Sequence, residues 1–265
     1  MSLQQLIDNR AGHLKGALMI FVFDLDGTIC FKGQPLTTDI CAALDECVET
    51  GHEVVFASAR PIRDLLPVLP KKYHGYRMVG GNGAFTRHGD QSSHVSFDAD
   101  TIEQLKALTA QHEVKYLFDS DWEYSYTGGE EQPLYEGLDP LKLAKNRPLH
   151  ELKKVSKAVL FTDDEVIRQA VAALPVTIFR HHAERLIDIT PAAINKAAGL
   201  ERLGIKDYIA FGNDQNDHEL FTYAVYSFCV GKHPVSQFAD EITSPDEVGR
   251  TITRLAARFQ EKAVM

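Results

Sequence analysis

Two carboxylates stand directly behind an apolar stretch near the start of the chain. Residues 17–23 are all apolar, and the segment Asp-Leu-Asp-Gly-Thr follows them at 24–28. Carboxylates this close together repel each other, and a hard cation such as Mg²⁺ relieves that repulsion. A carboxylate at such a site can also attack phosphorus and form an aspartyl phosphate. The segment therefore predicts a Mg²⁺ site and phosphoryl chemistry at Asp24 and Asp26.

Two other interpretations of this segment have to be weighed. A calcium-binding loop that starts at Asp24 needs Gly at its sixth position and Glu at its twelfth. Ile29 and Pro35 occupy those positions, which excludes such a loop. A plain turn at the end of a strand remains open on this segment alone.

The elements around the two carboxylates predict a parallel sheet. The apolar run is typical of a strand that is buried on both faces. A helix over about 38–51 and a second buried strand over 53–57 complete a β-α-β unit, which requires parallel strands. Because sites in such sheets form where strands end, we expect Ser58 to lie near Asp24. Its hydroxyl could donate to a phosphate oxygen, although a serine after a strand more often caps a helix.

The middle of the chain has a different pattern from its two ends. Over residues 85–185 short strands alternate with polar turns, and helices are predicted at about 100–112 and 139–145. This mixture is typical of an α+β domain with an antiparallel sheet. Buried strands of the parallel type resume at 186. We therefore predict an α/β fold with a core over 1–84 and 186–265 and an inserted α+β domain over 85–185.

The second half of the core supplies two more candidate segments. Lys196 lies in the first turn of a short predicted helix, where a cation opposes the helix dipole. An exposed lysine tolerates that position, so a surface role remains open. A lysine that faces two carboxylates and a phosphoryl group would instead be strongly stabilised. Further along, a buried strand at 208–211 ends in Gly-Asn-Asp-Gln-Asn-Asp at 212–217.

Four of these segments together resemble the motifs of the haloacid dehalogenase-like phosphatases, in their Cof-like branch. The segment at 24–28, Ser58, Lys196 and the segment at 212–217 stand in the order of the first to fourth motifs and span nearly the whole chain. The resemblance implies a Rossmann-like parallel-sheet core with an inserted cap domain. It also implies Mg²⁺-dependent hydrolysis of a small phosphorylated metabolite, such as a sugar phosphate. No P-loop, Ser-His-Asp or His-Glu-x-x-His motif competes with it.

The resemblance also implies a role for each matched residue. Asp24 would attack phosphorus, and Lys196 would neutralise the phosphoryl oxygens together with Mg²⁺. Asp26 would protonate the leaving alcohol and then activate the water that cleaves the aspartyl phosphate. Ser58 and the main chain at Ala59 would hold the phosphoryl oxygens.

A glycine-rich turn at 81–83 adds one candidate. The turn is no dinucleotide-binding fingerprint, because Thr86 stands where the third glycine belongs. In the Cof-like branch an Asn-Gly-Ala segment at this place leads from the core into the cap. Asn82 is therefore expected either to bind the phosphate or the catalytic loop, or simply to form the turn.

The fourth motif departs from the family pattern, which has Asp where this chain has Asn213. An amide oxygen can still bind Mg²⁺. We predict that Asn213 lies beside Asp24 and Asp26 as a metal ligand and that Asp217 completes the site, directly or through water. The lost negative charge should weaken Mg²⁺ binding. The alternative is that the loop has shifted and Asp214 is the ligand.

Composition limits the remaining choices. The chain has 265 residues and a formal net charge of −9, which argues against nucleic acid and against an anionic membrane surface as partners. No segment reaches the length of a membrane span, and the four cysteines form no Cys-x-x-Cys pair, so we expect a cytoplasmic protein. Two alternatives to a phosphatase stay open. One is a phosphotransferase or mutase that uses the same aspartyl phosphate, and the other is a non-catalytic binding protein.

Overall fold

A computed structural model describes residues 18–181 and 185–260. The residues at 1–17, which belong to the predicted core, lie outside the described part. In chain order the strands are β1 (Ile20–Phe23), β2 (Glu53–Ala57), β3 (Met78–Gly80), β4 (Phe85–His88), β5 (Gln91–His94), β6 (Tyr116–Asp119), β7 (Tyr124–Tyr126), β8 (Lys157–Leu160), β9 (Val176–His181), β10 (Leu186–Pro191), β11 (Tyr208–Gly212), β12 (Tyr226–Val230) and β13 (Glu241–Thr243). The helices are α1 (Thr38–Glu49), α2 (Ile62–Leu65), α3 (Ala99–Gln111), α4 (Glu165–Ala172), α5 (Lys196–Arg202), α6 (His218–Tyr223) and α7 (Val248–Gln260).

The larger sheet has eight strands in the order β13-β12-β11-β1-β2-β3-β4-β5. The first six of these are parallel to their neighbours, and β4 and β5 continue the sheet as antiparallel strands. Strand β1 lies between β11 and β2, with Phe23 opposite both Phe211 and Phe56. The residue after Phe23 therefore leaves the sheet near its centre, at the edge where ligand sites form in such folds.

Both faces of this sheet are covered, which explains the unbroken apolar sequence of β1. Phe21 and Phe23 point into a cluster with residues of α1 and α7, whereas Val22 points into a cluster with residues of α5 and α6. All three side chains are fully buried. The alternation follows from the two-residue period of a strand. The predicted α/β class with a parallel, Rossmann-like core sheet is confirmed.

The smaller sheet has five antiparallel strands in the order β7-β6-β8-β10-β9. One of its faces packs against α3 and α4 through a cluster that includes Leu105, Phe118 and Ile167. The other face carries Leu117, Val159 and a set of partly buried aromatic residues.

The division between the two sheets differs from the predicted boundaries at 84/85 and 185/186. Strands β4 and β5 belong to the larger sheet, although the sequence pattern assigned them to the insertion. Strand β10 belongs to the smaller sheet, although its apolar run predicted a core strand. The division into a core and a cap domain stays a prediction. Among the described residues, no helix combines the length and the apolarity that a membrane crossing would require.

Candidate active site

Asp24 is the first residue beyond the central strand β1. Its main-chain N–H donates to the Phe211 carbonyl at 2.9 Å, which continues the ladder to β11 by one step. The side chain is only 5% exposed. Its Oδ1 accepts a hydrogen bond from Lys196 Nζ at 2.7 Å, and its Oδ2 accepts one from Thr28 Oγ1 at 2.9 Å. Strand order and a local turn thus fix both oxygens of this carboxylate.

Lys196 is completely buried. It opens α5, and its ammonium donates to three acceptors: Asp24 Oδ1 at 2.7 Å, Asp217 Oδ1 at 2.6 Å and Asn216 Oδ1 at 3.2 Å. Two carboxylates offset the unfavourable helix dipole at this position. The structure therefore places Lys196 beside Asp24 and excludes the surface role that the sequence left open.

The loop after β11 is built around Asp217, which is also completely buried. Besides the bond from Lys196, its carboxylate accepts the N–H groups of Asn213 at 2.8 Å and Asp214 at 3.1 Å. A Cβ on Gly212 would lie 2.5 Å from Asp217 Cγ, so only glycine allows this close approach. The exposed Asp214 accepts the N–H of Gln215 at 2.7 Å. Asp217 thus shapes the loop and aims the lysine.

The three buried charges at the site are unbalanced, since one ammonium lies between two carboxylates. Burial raises the pKa of Asp24 from its ordinary value of 3.8 to about 7, because the loss of solvation outweighs the attraction of Lys196 and because Asp217 adds repulsion. Burial alone would lower the pKa of Lys196, but Asp217 and Asp24 together raise it. The ammonium is therefore charged, and Asp24 is the carboxyl at this site that binds a proton more readily than an exposed aspartate does.

The Asn213 side chain meets two of the predicted metal-binding groups. The atom of its carboxamide that faces the site lies 3.1 Å from Asp24 Oδ2, 2.9 Å from the main-chain oxygen of Asp26 and 3.0 Å from Thr28 Oγ1. As the nitrogen, this atom donates hydrogen bonds to all three. As the oxygen, it forms a third ligand position beside the Asp24 and Asp26 oxygens. Asp214 is exposed and its carboxylate accepts the N–H of Gln215, whereas the Asn213 side chain lies beside Asp24.

This donor set fits Mg²⁺. Adjacent ligands of an octahedral Mg²⁺ at ~2.0–2.1 Å from the ion are roughly 2.9 Å apart, close to the separations around Asn213. The donors are one carboxylate, one main-chain carbonyl and one amide. Within residues 18–181 and 185–260, no three His, Cys, Asp or Glu side chains converge as a metal cluster. A cation here would meet the oxygens of Asp24, Asp26 and Asn213. Both oxygens of Asp217 accept hydrogen bonds, and its predicted part in the metal site stays a prediction.

The Asp26 side chain points away from this donor set. Arg60 holds it in a two-point ion pair, from Nε to Oδ2 at 2.7 Å and from Nη2 to Oδ1 at 2.6 Å. The Asp26 side chain is 45% exposed. Arg60 Nη1 lies near Gly137, where a Cβ would be only 3.4 Å from it. The predicted acid–base carboxylate is thus partly exposed, and Arg60, which holds it, also approaches the segment after β7 at Gly137.

The remaining predicted residues line the ends of the neighbouring strands. Ser58 follows β2, is 1% exposed, and its hydroxyl accepts the N–H of Arg60 at 3.1 Å, which leaves its own proton able to donate. The Ala59 carbonyl accepts a bond from Lys157 at 2.9 Å. Asn82 is buried with a φ of 51°, and its side chain contacts Asp188 at 2.9 Å and Asn216 at 3.1 Å. Asn82 thus contacts both β10 and the loop after β11, and its φ also gives it a turn-forming role. The predicted contact with phosphate stays a prediction.

The sequence analysis missed several residues that the structure places at or next to the site. Thr28 and Asn216 lie inside the first and fourth motifs and could have been found there. Arg60 follows Ser58 by two residues. Asp188 could have been noticed as a lone carboxylate between Ile187 and Ile189. Lys157 has no local signal at all, since only the tertiary fold brings it to Ala59.

Comparison with known proteins supports what the geometry indicates. Relatives include the Bacillus subtilis (strain 168) protein YkrA, 25% identical over 87% of this chain and 94% of its own length. Another is the HMP-PP phosphatase of Serratia proteamaculans (strain 568), 23% identical over 79% of this chain and 82% of its own length.

Solved structures share the fold. The HAD subclass IIB sugar phosphatase BT4131 has a TM-score of 0.74 at 19% identity, with 89% of this chain and 98% of that chain covered. SMU.1108c from Streptococcus mutans UA159 has a TM-score of 0.75 at 21% identity, with 91% and 100% covered. A family model described as haloacid dehalogenase-like hydrolase matches residues 21–249. The resemblance inferred from the four motifs is thus confirmed, and the chain belongs to the haloacid dehalogenase-like hydrolases.

Proposed function

We propose that this chain is a Mg²⁺-dependent phosphatase that hydrolyses small phosphorylated metabolites through an aspartyl phosphate on Asp24. The observation that carries the proposal is the environment of Asp24. Its carboxylate lies at the end of the central strand, between the buried ammonium of Lys196 and the hydroxyl of Thr28. Family membership and the relatives named as phosphatases support the same reaction class.

In the first step an Asp24 oxygen forms a bond to phosphorus as the bond to the leaving oxygen breaks, which leaves the phosphoryl group on Asp24. Lys196 cannot leave its position easily, because Asp217 and Asn216 hold it. Its charge therefore stands ready for the phosphoryl oxygens without reorganisation. The Ser58 hydroxyl is placed to donate to one of these oxygens. Mg²⁺, held by Asp24, Asn213 and the Asp26 carbonyl, would neutralise further negative charge on the phosphoryl group.

Asp26 is proposed to move the proton. It donates to the leaving oxygen in the first step and takes a proton from the attacking water in the second, in which the bond between phosphorus and Asp24 breaks. Arg60 occupies both carboxylate oxygens in this structure. The pair must therefore open or shift before Asp26 can reach a leaving group. Because Arg60 also approaches Gly137 in the segment after β7, we expect a substrate that binds next to this segment to open the pair.

Residues 85–185 are proposed to determine which substrate is bound. The four motifs lie outside residues 85–185, while the face of the smaller sheet away from α3 and α4 carries Tyr124, Tyr126 and Phe161. The names of two relatives, an HMP-PP phosphatase and a sugar phosphatase, support a small phosphorylated metabolite as the substrate class.

The test is phosphate release from a panel of phosphorylated metabolites in the presence of Mg²⁺. Asp24→Asn should abolish both turnover and any acid-stable phosphoenzyme, while the fold persists. The exposed carboxylate Asp246 offers a control, since Asp246→Asn changes the charge equally and should keep the activity. Substantial turnover in the Asp24→Asn variant would contradict the proposal.

A further inference from the structure

A buried ion pair in the smaller sheet contacts the site from outside the four motifs. Lys157 opens β8 and Asp188 lies in β10, the strand next to it. Lys157 Nζ is 2.6 Å from Asp188 Oδ2, and the two side chains are 5% and 4% exposed. A buried pair of this kind is costly to desolvate and often adds nothing to stability. The role of this pair therefore has to be sought in its contacts with other groups.

Each member of the pair contacts a different segment of the site. Lys157 Nζ donates to the carbonyl of Ala59 at 2.9 Å, next to the proposed phosphate-binding Ser58. Asp188 Oδ2 accepts a hydrogen bond from the Asn82 carboxamide nitrogen at 2.9 Å. Because a carboxylate can only accept, this bond fixes which end of the Asn82 amide faces Asp188.

From Asn82 the contacts continue to the catalytic lysine. Asn82 Oδ1 accepts from Asn216 Nδ2 at 3.1 Å, and Asn216 Oδ1 accepts from Lys196 Nζ at 3.2 Å. Both asparagines are buried, at 0% and 6% exposure. Each amide therefore has one allowed orientation. Asp188 sets the orientation of Asn82, Asn82 sets that of Asn216, and the Asn216 oxygen then accepts the hydrogen bond of the Lys196 ammonium.

A second buried pair, between helix α2 and strand β6, shows that such contacts need not reach the site. Arg63 Nη2 lies 3.0 Å from Asp119 Oδ1, with side chains 2% and 1% exposed. Arg63 also bonds Asp64 and the Trp122 carbonyl. None of these groups contacts Lys196 or Ala59 in the bonds described. In the bonds described, this pair joins α2 to β6 and has no link to the proposed catalytic residues.

We propose that Lys157 and Asp188 are positioning residues for the hydrolysis. They fix the main chain at Ala59 and, through the two asparagine side chains, the direction of the Lys196 ammonium. The inference rests on the proposed function, in which Lys196 neutralises the phosphoryl group. Because both residues lie in the smaller sheet, the way in which this sheet sits on the larger one would then affect the catalytic geometry.

The double variant Lys157→Met/Asp188→Leu tests this directly. It replaces the pair by apolar residues of similar size, a change that often leaves stability equal or higher. With p-nitrophenyl phosphate, which is too small to need the cap for recognition, kcat should fall by about 10-fold or more, as for other supporting residues around a site. KM and the thermal midpoint should change little. Asp188→Asn serves as the second variant if the double variant does not fold. Its kcat should fall to the same extent, and its thermal midpoint should fall as in Asp119→Asn, because Lys157 then lacks a buried carboxylate partner.

The matched control is Asp119→Asn, which also removes a buried carboxylate from the smaller sheet. It should lower the thermal midpoint and leave kcat near that of the wild type. Equal losses of kcat in the control and in the double variant would overturn the proposal, since they would reflect a general loosening of the two sheets. An unchanged kcat in a folded double variant would overturn it as well.

A second readout does not depend on turnover. In protein labelled with ¹⁵N-lysine, the Nζ resonance of Lys196 is identified by its loss in Lys196→Met. It should move in the Lys157→Met/Asp188→Leu variant and stay in Asp119→Asn. If the wild type hydrolyses no phosphate ester, the proposed function fails, and this resonance alone decides the inference. An unmoved resonance in the double variant would refute it.

Discussion

The charge on Asp24 should be visible in the pH dependence of stability. Burial raises the pKa of this carboxyl from 3.8 to about 7 in spite of the neighbouring Lys196. At a pH between these two pKa values, Asp24 is protonated in the folded protein and ionised in the unfolded chain. Stability contributed by this group is therefore lost as the pH rises from about 4 to about 7 and does not fall further above that range.

The size of the effect follows from the same pKa. Each pH unit over which the folded and unfolded states differ by one proton corresponds to about 1.4 kcal/mol, so the full cost approaches about 4 kcal/mol. About 3 kcal/mol of this cost falls between pH 5 and pH 8. For a chain of this size that corresponds to roughly 5–10 °C in the thermal midpoint. Asp24→Asn removes the titrating group and should lose the effect.

Thermal unfolding in the presence of EDTA, at pH 5 and at pH 8, measures the difference. The midpoint of Asp24→Asn relative to the wild type should rise by roughly 5–10 °C from the lower to the higher pH. Adding Mg²⁺ at pH 8 should narrow the gap, because the cation stabilises the Asp24 carboxylate. Ser58→Ala, which changes no charge, should shift the midpoint equally at both pH values. A difference between Asp24→Asn and the wild type that is the same at pH 5 and pH 8 would refute the reasoning.

Three further predictions concern individual residues. Asp26→Asn should lower kcat about 10²–10⁴-fold for substrates with poor leaving groups and much less for nitrophenyl phosphate. Equal losses of kcat on both kinds of substrate would contradict the role of Asp26 as the acid. In Mg²⁺ titrations, Asn213→Asp should bind the cation more tightly than the wild type and Asn213→Ala more weakly, while Asp214→Ala should match the wild type. Loss of Mg²⁺ dependence in Asp214→Ala alone would show that Asp214, and not Asn213, is the ligand. Gly83 has a φ of 102°, and a Cβ there would lie 2.0 Å from the Asn195 carbonyl oxygen. Urea unfolding should therefore show Gly83→Ala to be destabilised by about 2 kcal/mol or more, and a neutral result would mean that the turn can relax.

The parts of the site that the sequence predicts are those in which local pattern and position coincide. The apolar run before Asp24 can only be satisfied by burial on both faces, and a strand buried in this way belongs to a parallel sheet. The end of such a strand is a defined place in the fold, so its polar residues could be assigned to one edge. Asn213, which follows β11, obeys the same logic, and the structure brings its side chain to Asp24. Lys196 opens a helix, so its place beside Asp24 was indicated by the resemblance to the third motif and not by a strand end.

The features that could not be predicted from the sequence depend on tertiary contacts or on side-chain bonds to the main chain. Strand β10 is as apolar as a core strand, and only its pairing with β8 and β9 assigns it to the smaller sheet. The predicted helix over 139–145 is absent because Asp139 and Lys142 have positive φ values, and the Asp139 carboxylate accepts the N–H groups of residues 143 and 144. A side chain that satisfies the main chain in this way competes with a helix.

The charges of the site give a physical reason for an asparagine, and not an aspartate, at position 213. Asp24 and Asp217 contribute two negative charges and Lys196 one positive charge, while Asp26 and Arg60 cancel each other. With Asp24 ionised, the site thus has a net charge of about −1, and the proposed Mg²⁺ would change it to about +1. With an aspartate at 213 the same site would be neutral when loaded. The amide therefore weakens the attraction for the cation and strengthens the attraction of the loaded site for a phosphate dianion. In a protein with a net charge of −9, which repels such a substrate at long range, a positive site gives the local attraction that binding requires.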